Sequence, residues 1–218
     1  MNEMKIGCLH AHYSNIEYIE ASIGSKAELI HFVDPGLMMG MEEGFNHVKV
    51  KEKAVDQINW IAQSGVDAIL ITCTSYIALL EEVETNLPII KLDEPFFNEI
   101  CKITQSQILL FTNPATVEGT MKRLTKFASS HGYQLPDIEV KVIENAFQLI
   151  MQGQKTEYAD EVYKFIEKML HSEQDKILAV AQLSMVKAAE RVAREFNISI
   201  TNPLAPLAAY VSSKDRSN

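Results

Sequence analysis

Apolar residues along this chain fall in short unbroken runs separated by longer stretches of mixed character. Runs that read as strands cover Met4–His10, Glu28–Val33, Asp67–Thr72, Pro88–Leu92, Gln107–Phe111, Ile138–Ile143, Lys176–Ala181 and Ile198–Thr201. Several lack the alternation of a half-exposed strand, which predicts strands covered on both faces of a parallel sheet. Helical patterns fit between them. Lys51–Ser64 stops at Gly65, Thr116–Ser130 near Gly132 and Glu144–Gln152 at Gly153, each glycine a C-terminal stop signal. Thr156–His171 and Ser184–Phe196 are strongly patterned. This alternation predicts an α/β architecture.

The pattern also repeats. With Cys73 placed over Gln182, the following stretches track without a gap: Ser75 falls on Ser184, Glu81 on Glu190, Val83 on Val192 and Asp93 on Asn202. Met4–Ser14 and Gln107–Thr116 both read as a strand followed by a polar turn. The expectation is two pseudo-symmetric Rossmann-like lobes, each with a parallel four-stranded sheet, and an active site in the cleft between them. Residues 1–98 with 204–218 would form the first lobe and 99–203 the second, the chain after Pro203 reading as a closing helix. Asp34–Phe45, rich in glycine and methionine, reads either as a mobile loop or lid, or as a plain surface connection.

Composition narrows the function. A chain of 218 residues with 47% hydrophobic and 22% charged residues is an ordinary globular protein with room for a sizeable core. A formal charge of −9 argues against nucleic acid as a partner. No apolar run approaches the roughly 18–20 residues that cross a bilayer, so no membrane partner is expected. Residues 1–11 read as a strand, not a signal peptide. Cys8, Cys73 and Cys101 are scattered and form no disulfide framework, which suggests a reducing cytoplasm. Glycine-rich nucleotide motifs, a serine nucleophile elbow and zinc-type Cys/His spacing are all missing. Nucleotide binding, a hydrolase of that type and a zinc site therefore have no motif behind them, and no metal is expected.

Cys73 is the first candidate for chemistry. It follows a strand and precedes a helix starting near Tyr76, where the helix terminus favours thiolate. Backbone N–H groups of Thr74, Ser75 and Tyr76 would be free to bind an anion such as a substrate carboxylate, and the Thr74 and Ser75 hydroxyls add donors. A thiolate beside such a cradle could move a proton at the adjacent carbon. The competing reading is a buried, inert cysteine. His10-x-His12 reads as a strand-end pair or as part of a metal site whose other ligands are not in view. Either histidine could act as a proton relay. Asp93 and Glu94 either orient site residues or start a helix. Cys8 and Cys101 read as core, Trp60 and Tyr163 as packing residues, and Lys187 with Arg191 as a solvated face.

Thr72-Cys73-Thr74-Ser75 resembles the first cysteine motif of the aspartate/glutamate racemase superfamily, typically Thr-Cys-Asn-Thr. Leu92-Asp93-Glu94-Pro95 and Phe111-Thr112-Asn113-Pro114-Ala115-Thr116 resemble two of its turns. Ala181-Gln182-Leu183-Ser184-Met185 stands where the second cysteine motif would be. The resemblance spans nearly the whole chain. Hydantoin racemase, maleate isomerase and arylmalonate decarboxylase are related branches.

This resemblance implies cofactor-independent acid/base chemistry at the carbon next to a carboxylate of a small amino or dicarboxylic acid. In the racemases one cysteine removes the α-proton and a second delivers a proton to the opposite face. Here Cys73 matches the first, whereas Gln182 is no base at neutral pH and Ser184 is a poor one. The resemblance further implies that Ser14, Asn15, Thr112, Asn113 and Thr116 contact substrate, together with Thr74, Ser75, Gln182 and Ser184. Helix capping is the alternative for Ser14, Asn15 and the Thr112 turn. The arylmalonate decarboxylases work with one cysteine, so decarboxylation of a substituted malonate is an alternative reaction. A carboxylate-binding protein without turnover is the non-enzyme alternative. The family often forms dimers, which sets the expectation of a homodimer.

Overall fold

The computed structural model describes residues 3–42, 44, 46–80 and 83–215. Residues 43 and 45 of the expected loop, Glu81 of the internal repeat and residues 216–218 of the closing segment lie outside the described residues. In chain order the elements are β1 (Lys5–His10), α1 (Asn15–Ile23), β2 (Glu28–Val33), α2 (Pro35–Glu42), α3 (His47–Ala62), β3 (Ala68–Ile71), α4 (Thr74–Leu79), β4 (Ile89–Lys91), α5 (Asp93–Lys102) and β5 (Gln107–Phe111). There follow α6 (Val117–Ser130), β6 (Ile138–Val142), α7 (Ala146–Met151), α8 (Lys155–Ser172), β7 (Ile177–Val180), α9 (Val186–Phe196) and α10 (Leu204–Asp215). Short 3-10 turns at Pro114–Thr116 and Leu183–Met185 precede α6 and α9. The chain is of the α/β class, as its alternating pattern predicts. It divides into two compact units, Met1–Pro95 with Ala205–Asn218, and Phe96–Leu204.

The first unit holds a parallel sheet in the order β2-β1-β3-β4. Its inner strands are covered on both faces: Ile6, Cys8, Leu9, Ile69, Leu70 and Ile71 have no exposed surface. That two-sided burial is why these strands read as continuous apolar runs. Helix α3 buries a stripe of Val50, Ala54, Ile58 and Ile61. It lies so close to β1 that a Cβ at Gly7 would stand 2.5 Å from Ile61 Cγ2, so only glycine fits there. Trp60 stands off the stripe and is 67% exposed, correcting the expectation that it packs. One position from Ile61 is about 100° around a helix, which turns the indole to solvent. Helix α10 returns to this unit, where Leu207 and Val211 are fully buried and Lys26 Nζ donates to Ser212 Oγ at 2.9 Å.

Much of the expected loop at Asp34–Phe45 is instead helix α2. The start signal lies in its first residues. Asp34 Oδ1 accepts from Gly36 N at 3.0 Å, and Pro35 occupies the first helical position, where a missing N–H costs nothing. Helix α3 starts four residues earlier than its pattern predicts, because Asn46 Oδ1 accepts from Val48 N at 2.9 Å and caps it.

The second unit holds a parallel sheet in the order β6-β5-β7. Alternation along its strands feeds two cores. Ile108, Leu110, Leu178 and Val180 join α7, α8 and α9 residues on one face, including Tyr158, Val162 and Val192. Leu109, Phe111 and Ala179 join Phe96, Phe97, Ile100 and Leu124 on the other. The sheet has three strands, not four. The run Ile198–Thr201 makes a single bridge, Ala179↔Thr201, flanked by Val180 N→Thr201 O (2.9 Å) and Thr201 N→Leu178 O (3.0 Å). Asn197, with φ 51°, turns the chain out of α9 just before the run, and Pro203 follows with no N–H to extend the ladder.

A half-buried ionic square sits at the edge of this sheet. Lys141 Nζ lies 3.1 Å from Glu139 and 2.9 Å from Glu173, and Lys176 Nζ lies 2.6 Å from Glu139 and 3.0 Å from Glu173. Hydrogen bonds from Lys176 and then Lys141 hold Glu139 below the ordinary carboxylate range, and the same two lysines in the reverse order do so for Glu173. Carboxyls depressed in the folded state stabilise it above the unfolded carboxylate range and lose that contribution as pH falls through the folded values. Acidification from pH 7 to about pH 4 is therefore expected to lower the melting temperature of the wild type more than that of a Glu139→Gln/Glu173→Gln variant. Thermal melts at low and high salt check this, the gap between the proteins shrinking at high salt.

Candidate functional site

Buried strand β3 ends at Ile71, and the chain turns into α4 through Thr72 and Cys73. Cys73 is the N-cap residue of α4, extended at φ −109° and ψ 125°, and its side chain makes no capping bond. It is half-buried, as are Thr74 and Ser75 on the first turn. The first intrahelical bond runs from Ile77 N to Cys73 O at 2.9 Å, so the N–H groups of Thr74, Ser75 and Tyr76 precede any intrahelical acceptor. Tyr76 is fully buried, and its hydroxyl donates to Asp34 O at 2.6 Å, which fixes α4 against the end of β2. Burial and the neighbouring Asp34 and Cys73 push the Tyr76 phenol well above its ordinary value, so it stays a donor.

Thr72 organises the floor beneath this turn. Its hydroxyl lies 2.9 Å from His10 Nδ1 and 3.1 Å from Leu9 O, and it accepts from Asn15 Nδ2 at 3.3 Å. Asn15 thus reaches the end of β3 with its side chain. Ser14, the N-cap residue of α1, makes no capping bond, and its Oγ lies 2.7 Å from His12 Nδ1. The two histidines of His10-x-His12 part company: His10 is fully buried at the end of β1, and His12 is exposed in the turn beyond it.

In the second unit Gln182 stands where Cys73 stands in the first. It follows β7, precedes the Leu183–Met185 turn into α9, and is extended at φ −123° and ψ 142°. Its carboxamide oxygen accepts three hydrogen bonds: Thr112 N at 2.7 Å, Thr112 Oγ1 at 2.8 Å and Asn113 N at 3.1 Å. Those are the donors expected to receive a substrate carboxylate. They are directed at the protein's own amide instead. Asn113 Oδ1 also accepts from Ala115 N at 3.0 Å, capping its turn, and Thr116 Oγ1 donates to Asn113 O at 2.9 Å. Gln182 Nε2 reaches Thr116 Oγ1 only at 3.5 Å.

Ser184 joins this network through a residue that the sequence does not single out. Tyr158 OH lies 2.6 Å from Ser184 Oγ and 3.3 Å from Thr112 Oγ1. Burial raises the Tyr158 phenol and the bonds to Ser184 and Thr112 oppose that rise. Thr112, Asn113, Thr116, Gln182 and Ser184 therefore form one connected group on the second unit, while Asn15, Thr72, Cys73, Thr74 and Ser75 gather at the strand ends of the first. Asp93 and Glu94 form the first turn of α5, and Glu94 lies 3.4 Å from Lys91 Nζ. No helix among the described residues is long and apolar enough to cross a membrane.

Neither a family model nor a curated protein sequence matches the chain. Solved structures match its fold. Aspartate racemase from Picrophilus torridus aligns with TM-score 0.71 at 13% identity, over 97% of this chain and 94% of that one. Allantoin racemase from Pseudomonas fluorescens aligns with TM-score 0.66 at 11% identity, over 98% and 92%. A mutant of arylmalonate decarboxylase, in a sulfate-associated form, aligns with TM-score 0.58 at 13% identity, over 96% and 93%. The chain shares the fold of these racemases and of this decarboxylase.

Proposed function

We propose that this protein is a cofactor-independent enzyme that moves a proton at the carbon next to a carboxylate of a small amino or dicarboxylic acid, with Cys73 as its acid/base. One observation carries the reading. Two equivalent strand-to-helix turns share one backbone shape, and one offers a half-buried thiol while the other offers an amide already bonded to three donors. A thiol can give and take a proton near neutral pH, and a carboxamide cannot.

Thr74 and Ser75 would hold substrate carboxylate oxygens through their N–H and hydroxyl groups, with Asn15 and Ser14 at the adjoining turn. Thr112, Asn113, Thr116 and Ser184 support Gln182 in this reading. The Gln182 amide nitrogen, bonded only at the outer limit of hydrogen-bond length, retains N–H capacity for a ligand oxygen.

A single acid/base favours one-sided reactions. In decarboxylation of a substituted malonate the bond to one carboxyl breaks and carbon dioxide leaves. The electron pair is held as an enediolate of the remaining carboxylate, and Cys73 supplies the proton to carbon. Racemisation needs a second acid/base group, and a carboxamide such as Gln182 cannot serve as one. The test is incubation in D2O with a panel of amino acids, 2-substituted malonates and small dicarboxylates, followed by NMR. Deuterium at the α-carbon or carbon dioxide release is expected without inversion in the absence of a second base. A ligand that binds and shows neither exchange, inversion nor carbon dioxide loss would leave only the carboxylate-binding reading.

A further inference from the structure

The first unit holds a second cluster of donors, on β1 and β2. These strands pair in parallel with Cys8 opposite His31, and His10 lies two residues on, on the same face as Cys8. Cys8 Sγ and one nitrogen of each histidine all lie within 4.8 Å of one another. His10 Nε2 is 2.8 Å from His31 Nδ1. Cys8 and His10 are fully buried, and His31 keeps 16% of its side chain exposed.

Proton counting makes this cluster unusual. Thr72 Oγ1 has one proton and two lone pairs. With its proton on Leu9 O and Asn15 Nδ2 donating to one lone pair, the other takes a proton from His10 Nδ1. That tautomer leaves His10 Nε2 bare. His31 Nε2 lies 2.9 Å from Glu20 Oε1, a carboxylate that only accepts, so His31 Nδ1 is bare as well. In that arrangement two lone pairs meet with a sulfur beside them, a donor set open to a cation.

We propose that Cys8, His10 and His31 bind one divalent cation of the zinc class, which takes nitrogen and sulfur donors. Each histidine already has its other nitrogen on an oxygen, Thr72 for His10 and Glu20 for His31, which is the arrangement that orients metal-bound imidazoles. Zinc bonds of about 2.0–2.3 Å require the longest separation in the cluster to close by roughly an ångström, within reach of a cysteine rotation. Without the ion, Thr72 turns its proton to His10 Nδ1 and His10 Nε2–H donates to His31 Nδ1. Leu9 O then keeps the Thr72 backbone N–H at 3.1 Å. On binding, the His10 proton moves to Nδ1 and the Thr72 proton returns to Leu9 O. Only the Cys8 proton leaves to solvent. Because that proton is released on binding, uptake strengthens as pH rises.

This proposal is independent of the reaction at Cys73 and is tested without substrate. The full chain is stripped with a chelator and titrated with Co2+, then with Zn2+ in competition. One equivalent of Co2+ is expected, with a thiolate-to-cobalt charge-transfer band that persists in Cys73→Ala and disappears in Cys8→Ala. Glu20→Ala alters an exposed side chain and is expected to weaken binding about 10–100-fold. Should Cys8→Ala fail to fold, Glu20→Ala and His31→Ala carry the test, with circular dichroism as the check on folding. No binding, a band that follows Cys73, or unchanged affinity in folded Glu20→Ala and His31→Ala overturns the proposal.

Discussion

Cys73→Ser is expected to slow α-carbon exchange or carbon dioxide release by roughly 10²–10⁴-fold, the usual contribution of a positioned acid/base, while the protein melts no lower than the wild type. The two halves of this result come from the same position. Cys73 is the N-cap of α4 and makes no capping bond with its sulfur. Serine is a strong N-cap whose oxygen can accept from the first turn, so the substitution supports the helix while removing the titratable thiol. Loss of activity then cannot be assigned to loss of fold. Solvent-exchange NMR and thermal melts on the same samples make the measurement. Activity retained at the wild-type rate would refute the role given to Cys73, whatever the reaction.

Gln182→Leu is expected to destabilise the protein by about 2–5 kcal/mol, the sum of leaving partly buried donors without an acceptor. Three donors converge on this one oxygen, and two are backbone N–H groups that cannot swing away. The Thr112 hydroxyl has an alternative in Tyr158 at 3.3 Å, which softens the loss. Gln182→Glu keeps an acceptor in place and is expected to stay folded at neutral pH. Gln182→Ala adds a more telling outcome. With the amide gone the donors face whatever enters, so acetate or formate should raise the melting temperature of this variant by more than that of the wild type. A wild type that responds equally would show that Gln182 does not occupy the cradle.

The sheets were legible because both faces of their strands are buried, and such strands announce themselves as apolar runs. Eight runs predict the seven strands and the bridge at Thr201, most within a residue or two of their ends. The last run fell short because pairing depends on Asn197 and Pro203 on either side, not on its own hydrophobicity. Helix α2 was hidden because its glycines and methionines outweighed the short start signal of Asp34 and Pro35. At the candidate site, Cys73 and Gln182 could be paired by sequence alone, since their spacing follows from a repeated unit. What Gln182 does could not. Its partners Thr112 and Asn113 lie about 70 residues away, and the bonds depend on a side-chain direction that no pattern encodes. Tyr158 is likewise set by the helix α8 face that meets β5 and β7. The histidine pair shows the same limit: Cys8 and His31 become neighbours only through the register of β1 and β2.

The return of α10 to the first unit has a consequence for synthesis. The second unit is one continuous stretch, Phe96–Leu204, whereas the first needs residues from both sides of it. On the ribosome the later-made unit can therefore close before the earlier one. The first unit completes its core only once Leu207 and Val211 are made, long after Cys73 is in the emerged chain. A nascent chain stalled within α10 would carry a finished second unit, with its Gln182 network, beside a thiol-bearing half still exposed to chaperones and oxidants.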